Sequence, residues 1–244
     1  MSESSKPLIF LTGCINPAGM SHTALQDPEV RKSQYIEAIK FYLLNTDLPI
    51  LFVENSNTPI PIGEFKDFSI DNRLELITFD GNNYNKELGK GYGEMLIIEH
   101  ALKFSLFIRT AEFVFKITGR YKILNISSFI IDYKTSQSYN LLIDLKENLS
   151  FSDSRFLGCV PSFFSEILLK YKDRVNDSIE IFFEHALCNA THEAIIRGYR
   201  FSFLKFKPRY SGTYGTDNTV YNDSWTYWFP RNLKYILKYK LLNK

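Results

Sequence analysis

The chain has only three cysteines in 244 residues, Cys14, Cys159 and Cys188, an odd number set far apart. A disulfide framework needs dense, paired cysteines, so this chain is not a stapled secreted module and suits a reducing cytoplasm. No apolar run approaches the ~18 residues of a membrane span. The polar start Met1–Pro7 is followed by an apolar run of only about four residues, too short for the core of a secretory leader. Tyr-x-x-x-Lys is absent, and after Gly13 no glycine follows before Gly19. Those two absences argue against a dehydrogenase, whose dinucleotide loop needs closely spaced glycines.

Acid and base nearly balance, with a net charge of +2, but not evenly. The last 14 residues carry Arg231, Lys234, Lys238, Lys240 and Lys244 and no acid, which leaves the body at −3. A nucleic-acid-binding body is therefore not indicated, and the basic character lies in the tail. Aromatic residues are abundant at 16%, with 21 Phe and 15 Tyr, so the core and any groove should be ring-rich.

The first half alternates strand and helix signals. Leu8–Leu11, Ile50–Val53, Leu74–Phe79 and Phe113–Ile117 read as strands. Asp27-Pro28-Glu29 is a strong helix start, and the helix should stop at Asn45–Pro49. A second helix follows Lys90–Glu94. This alternation implies βαβ units and a mostly parallel sheet with helices on its faces. In the second half, 140–145, 155–159 and Tyr199–Phe206 look like strands. Pro161–Lys172 and Ser178–Ile196 look helical, and Ser211–Asn218 reads as a flexible loop. One domain over residues 1–220 with an aromatic and basic appendage over 221–244 is the simplest organisation.

Polar islands stand where buried strands should emerge, the edge at which open α/β sheets bind ligands. Thr12, Gly13 and Asn16 follow the first strand; they suit a nucleotide or a plain turn. Glu54 and Asn55 follow the second; they suit a ribose or base, or an Asx turn. Lys90 and Gly93 open a helix whose free N–H groups suit a phosphate, or form a glycine-rich turn with Glu94 as cap. Lys116, Thr118, Gly119 and Arg120 end the fourth strand. Two cations buried there are costly unless they meet anions, either a ligand diphosphate or internal carboxylates. On the late helix, His185, Cys188 and His192 share a face at i, i+3 and i+7, without a fourth zinc ligand. The basic aromatic tail suits an anionic membrane surface or a solvated helix.

Taken together, the opening Leu11–Pro17, Phe52–Asn57, Gly91–Glu94 with its helix and Lys116–Tyr121 resemble bacterial GT-A-type glycosyltransferases that build lipopolysaccharide, capsule or other cell-surface glycans. The resemblance covers roughly Leu8 to Asn218. It implies a Rossmann-like sheet, a nucleotide-sugar donor and a glycan or lipid-linked acceptor. It implies donor contacts from Thr12, Gly13, Asn16, Glu54, Asn55, Lys90, Gly93, Lys116, Thr118, Gly119 and Arg120. Glu184-His185-x-Leu187 looks like the acid motif of inverting members, with Glu184 as base and His185 beside it. Ser211, Gly212 and Thr213 look like the segment that closes over the donor. The family usually holds a divalent metal, Mg or Mn, with Asp-x-Asp, which this chain lacks. Either Lys116 and Arg120 neutralise the diphosphate, or other acids such as Asp144 or Asp153 hold a metal. A cytoplasmic transferase, peripheral at the inner face of the membrane, is the expectation. A non-catalytic α/β binding protein and a methyltransferase are the alternatives.

Overall fold

The structure, a computed structural model, describes residues 6–20, 23–70, 72–136, 139–213, 220–222 and 224–242. Its elements run β1 (Leu8–Gly13), α1 (Pro28–Asn45), β2 (Ile50–Glu54), β3 (Leu74–Thr78), α2 (Gly89–Phe104), α3 (Leu106–Thr110), β4 (Val114–Thr118), β5 (Lys122–Ile123) and α4 (Ile126–Ser136). They continue β6 (Leu141–Leu142), β7 (Leu145–Lys146), β8 (Phe151–Ser152), β9 (Phe156–Cys159), α5 (Pro161–Glu166), α6 (Phe183–Ile196), β10 (Phe201–Ser202), β11 (Tyr210–Thr213), β12 (Val220–Asn222) and α7 (Trp225–Leu242).

A seven-stranded sheet has the order β10-β6-β9-β4-β1-β2-β3. All neighbours pair in parallel except at β9, which runs antiparallel to both β4 and β6. β1 lies in the middle, so both of its faces are covered and every residue of Leu8–Gly13 is buried. Leu8 and Phe10 point to a core with Met95, Ile98, Ala101, Phe163 and Leu187, under α2, α5 and α6. Ile9 and Leu11 point to the other core with Tyr35, Ile39, Tyr42 and Phe129, under α1 and α4. The expected α/β class, a mostly parallel sheet flanked by helices, is what the molecule has.

α1 begins where its sequence signals place it. Asp27 caps it by accepting from the backbone N–H of Glu29 at 2.9 Å and Val30 at 3.3 Å, with Pro28 at the first helical position.

Five expectations change. Residues 140–145 do not form one strand: β6 stays in the main sheet while β7 leaves it to pair with β8. Tyr199–Phe206 keeps only the two paired residues of β10, because its partner β6 is itself that short. Pro161–Lys172 divides into α5 and a 3-10 turn over Leu168–Arg174. The late helix starts at Phe183 rather than Ser178, because a bridge between Asn176 and Ile181 closes a turn before it. Ser211–Asn218 is not a loop throughout: Ser211, Gly212 and Thr213 lie in β11, between β5 and β12. Residues 214–219 fall outside the described residues. α4, which carries no strong start signal, was not anticipated.

Tyr42 ties the crossover after β4 to α1. Its buried hydroxyl donates to Tyr121 O at 2.8 Å and accepts from Ile123 N at 2.9 Å. Tyr42→Phe leaves both backbone groups unpaired away from water and is expected to cost about 1–3 kcal/mol. Urea denaturation measures it; a loss well under that range would show that the crossover is held by something else.

Candidate functional site

The carboxyl ends of β1 and β4, the turn after β2, the start of α2 and the start of α6 enclose a cavity of about 480 Å³. Eight of the residues expected at a donor or catalytic site line it: Thr12, Gly13, Asn55, Lys90, Gly93, Thr118, Arg120 and Glu184. Asn16, Glu54, Lys116, Gly119, His185, Ser211 and Gly212 are not on its wall.

The start of α2 is shaped by glycine. Gly89 sits at φ +80°, where a side chain is strained, and a Cβ there would overlap the Asp177 carboxylate. A Cβ at Gly93 would stand 2.5 Å from the Tyr84 hydroxyl and 3.4 Å from Asn55 Nδ2. Leu88, at the N-cap, makes no side-chain cap. The first turn of the helix, with Lys90, lies on the cavity wall, where the positive end of the helix dipole favours an anion. Asn55 is 2% exposed and its Oδ1 has no hydrogen-bond partner, so it is a buried acceptor on the cavity wall.

Lys116 does not reach the cavity. Its side chain is fully buried, and it forms an ion pair with Glu94 and donates to Ser154 O at 3.0 Å. Thr12 Oγ1 donates to the same Glu94 oxygen at 2.7 Å, and Ser154 Oγ donates to Glu184 Oε1 at 2.6 Å. One polar network thus runs from the end of β1 through Glu94, Lys116 and Ser154 to the carboxylate of Glu184. Arg120, 7% exposed, is on the wall and donates to Gln34 Oε1 at 3.2 Å.

Other expected residues hold the loops around the cavity. Glu54 is fully buried and accepts from Ile15 N at 2.9 Å, Ser56 N at 2.8 Å and Thr58 N at 3.0 Å, and from the Ser56 hydroxyl. Its carboxylate is consumed by the turn, which removes the acid that a methyltransferase needs for a ribose. Gly119 N donates to Thr12 O at 2.8 Å and joins two strand ends. Asn16 lines a separate hollow with Ser56, Asn82 and Lys86. His185 Nδ1 accepts from Phe182 N at 3.2 Å and so caps α6. Cys188 Sγ donates to Leu149 O at 3.1 Å.

The sequence reading missed three cavity residues, Arg31, Lys146 and Arg155, and named Asp153 only as an acid that could hold a metal. Arg31 donates to Cys14 O through Nε at 2.9 Å and a terminal nitrogen at 2.6 Å, fixing the loop after β1. Lys146, Asp153 and Arg155 form a cluster on the opposite wall. Asp153 pairs with Lys146 at 2.6 Å and with Arg155 at 2.5 Å. These residues carry no motif; β7, β8 and the turn before β9 bring them together. Burial pushes the Cys14 thiol up to about 11, so it stays protonated at neutral pH.

The residues do not fit a divalent metal. Among the described residues no group of three or more His, Cys, Asp and Glu side chains is placed to hold one. Asp153 is engaged by its two cations, and Asp144 accepts from Tyr235 OH at 2.6 Å and lies 3.6 Å from Lys146.

No family model and no curated protein matches this chain. Solved structures do. S. aureus TarS 1–349 in complex with UDP is 15% identical, over 86% of this chain and 60% of that one, with a TM-score of 0.44. A nucleotide-diphospho-sugar transferase assigned in Desulfovibrio desulfuricans G20 is 10% identical over 96% of this chain and 98% of that one, with a TM-score of 0.46. The bifunctional glycosyltransferase WbbM is 12% identical over 99% of this chain and 45% of that one, with a TM-score of 0.48. Likenesses of this size carry no chemistry over to this chain, whose reading rests on its own cavity.

Two outcomes follow from the charges. Lys116→Met strands the Glu94 carboxylate, which keeps 20% exposure, and should cost about 3 kcal/mol of stability by denaturant unfolding. A melting curve like that of the unaltered protein would remove Lys116 from the network. For Asp153, burial raises the carboxyl, but the hydrogen bonds and charges of Arg155 and Lys146 outweigh it and hold the group well below its usual range. The stability it contributes is present above its unfolded value of 3.8 and is lost as pH falls toward the lower folded value. Asp144 works in the opposite sense, since burial holds its carboxyl above the ordinary value and acid relieves that cost. Unfolding measured from about pH 6 to about pH 3 should show a shallower acid loss in Asp153→Asn than in the unaltered protein. Parallel curves would mean that Asp153 is not the group responsible.

Proposed function

We propose that this protein is a glycosyltransferase that moves a sugar, a hexose, from a nucleotide-sugar donor to a hydroxyl of a cell-surface glycan such as lipopolysaccharide or capsule. The observation that carries this reading is the company kept in one cavity. Lys90, Arg120, Lys146 and Arg155, the start of α2 and the carboxylate of Glu184 all line the same 480 Å³ space at the carboxyl edge of a mostly parallel sheet. Cavities of about 300–1,000 Å³ are the size that holds small ligands, and this edge is where open α/β sheets bind them.

In this reading the nucleoside lies over Thr12, Gly13 and Asn55, whose unpartnered Oδ1 accepts an N–H or O–H from it. The diphosphate meets the α2 start, Thr118 and the four cations. Lys116 acts behind the wall, holding Glu94 and Ser154 in place, in contrast to the direct grip expected from the sequence. Glu184, fixed by the Ser154 hydroxyl, takes the proton of the acceptor hydroxyl. The acceptor oxygen then attacks the anomeric carbon, and the nucleoside diphosphate departs with the electron pair of the broken bond. Fixed cations and N–H groups stabilise the charge that grows on that leaving group. In this reading the cations carry the neutralisation of the diphosphate, since among the described residues no acid set is placed to hold a divalent ion.

Nucleoside diphosphates should raise the melting temperature, equally with and without EDTA. Glu184→Gln should retain that shift and lose transfer by about 10²–10⁴-fold, the usual worth of a positioned base. A panel of nucleoside diphosphates that leaves the melting temperature unmoved would sink the assignment.

A further inference from the structure

α7 is turned the wrong way for a helix that only packs on its own protein. A surface helix buries its apolar stripe and exposes polar residues. The inner face of α7 is largely polar in its contacts. Trp228 Nε1 donates to Lys207 O at 2.8 Å, and Asn232 Oδ1 accepts from Lys207 N at 2.9 Å. Tyr235 donates to Asp144 Oδ2 at 2.6 Å, and Lys238 donates to Leu145 O at 3.0 Å. The outer face carries Leu233, Leu237 and Leu241, which are 44%, 60% and 69% exposed. At 3.6 residues per turn these three leucines lie within an arc of about 80°. Trp225 and Phe229 prolong the row and are exposed too.

Cations flank this row. Lys234 stands on one side and Lys240 on the other, and no acid occurs from Arg231 to the last described residue of the helix. A second copy of the same face would set like charge against like charge. An anionic surface would satisfy both the leucines and the cations at once. No helix among the described residues is long and apolar enough to cross a membrane, so a helix lying in the interface plane is the geometry that fits.

We infer that the outer face of α7 seats this protein on an anionic lipid surface, with Leu233, Leu237 and Leu241 entering the headgroup boundary and Lys234 and Lys240 meeting lipid phosphates. The inner face grips β7 through Asp144 and Leu145, and Lys146 of that strand lines the cavity. Seating α7 therefore also fixes the cavity relative to the lipid plane.

The test is co-sedimentation of the full chain, without nucleotide, with phosphatidylcholine vesicles and with vesicles that also contain phosphatidylglycerol. Binding is expected only to the second kind, falling as salt is raised. Leu237→Ser with Leu241→Ser should abolish it at an unchanged melting temperature. Replacing Lys234 and Lys240 together by Gln should weaken it by about thirtyfold, from the usual contribution of each basic residue near an anionic surface. Equal binding to both vesicle kinds, or none to either, overturns the inference. So does a dimer by light scattering that the serine variant converts to monomer, since the face would then be an interface between copies. The readout needs no nucleotide, so its failure and that of the transferase reading are separable.

Discussion

An ammonium buried in the middle of a sheet must be paired, and this molecule is arranged around that necessity. Lys116 lies on β4, the central strand of the seven and the neighbour of β1, with no exposure at all. An isolated charge there would cost several kcal/mol. Glu94 supplies the counter-charge from α2, and Ser154 supplies a carbonyl from the turn before β9. The pairing therefore joins three elements distant in sequence, and Thr12 and Glu184 hang on its two ends. A carboxylate at the start of α6 is aimed into the cavity by a chain of contacts that begins at a lysine outside it.

The opposite wall follows the same logic with a different result. Asp153 lies between Lys146 and Arg155, so the cations are oriented by an internal acid and still face the cavity. Arg155 also stacks 4.4 Å over the ring of Tyr210, which closes the cluster against β11. A wall built from paired cations offers charge to an anionic ligand without an excess that would repel its own fold.

The C-terminal helix links this wall to the outside. Its polar inward contacts end on Asp144 and Leu145, next to Lys146, while Leu233, Leu237 and Leu241 look outward. The usual economy of a globular surface is reversed over one helix, and the cations beside the leucines give that reversal a direction.

The sequence by itself determined the layers and the strand edges. Continuous apolar runs such as Leu8–Leu11 and Ile50–Val53 demand cover on both faces, and Asp27-Pro28 starts a helix through bonds made within three residues. Such local physics is legible, and so were Thr12, Asn55, Lys90 and Arg120 as cavity residues, because each follows a strand or opens a helix, whereas Glu184 was marked by the resemblance of its motif. Only the tertiary structure decided which polar groups satisfy each other. Glu54 and Lys116 bear the same charges wherever they point, but backbone N–H groups take the first and Glu94 the second. Lys146, Asp153 and Arg155 carry no spacing signal, since their meeting depends on β7 leaving the main sheet to pair with β8. A charge's partner is set by distance in space, which chain order does not encode.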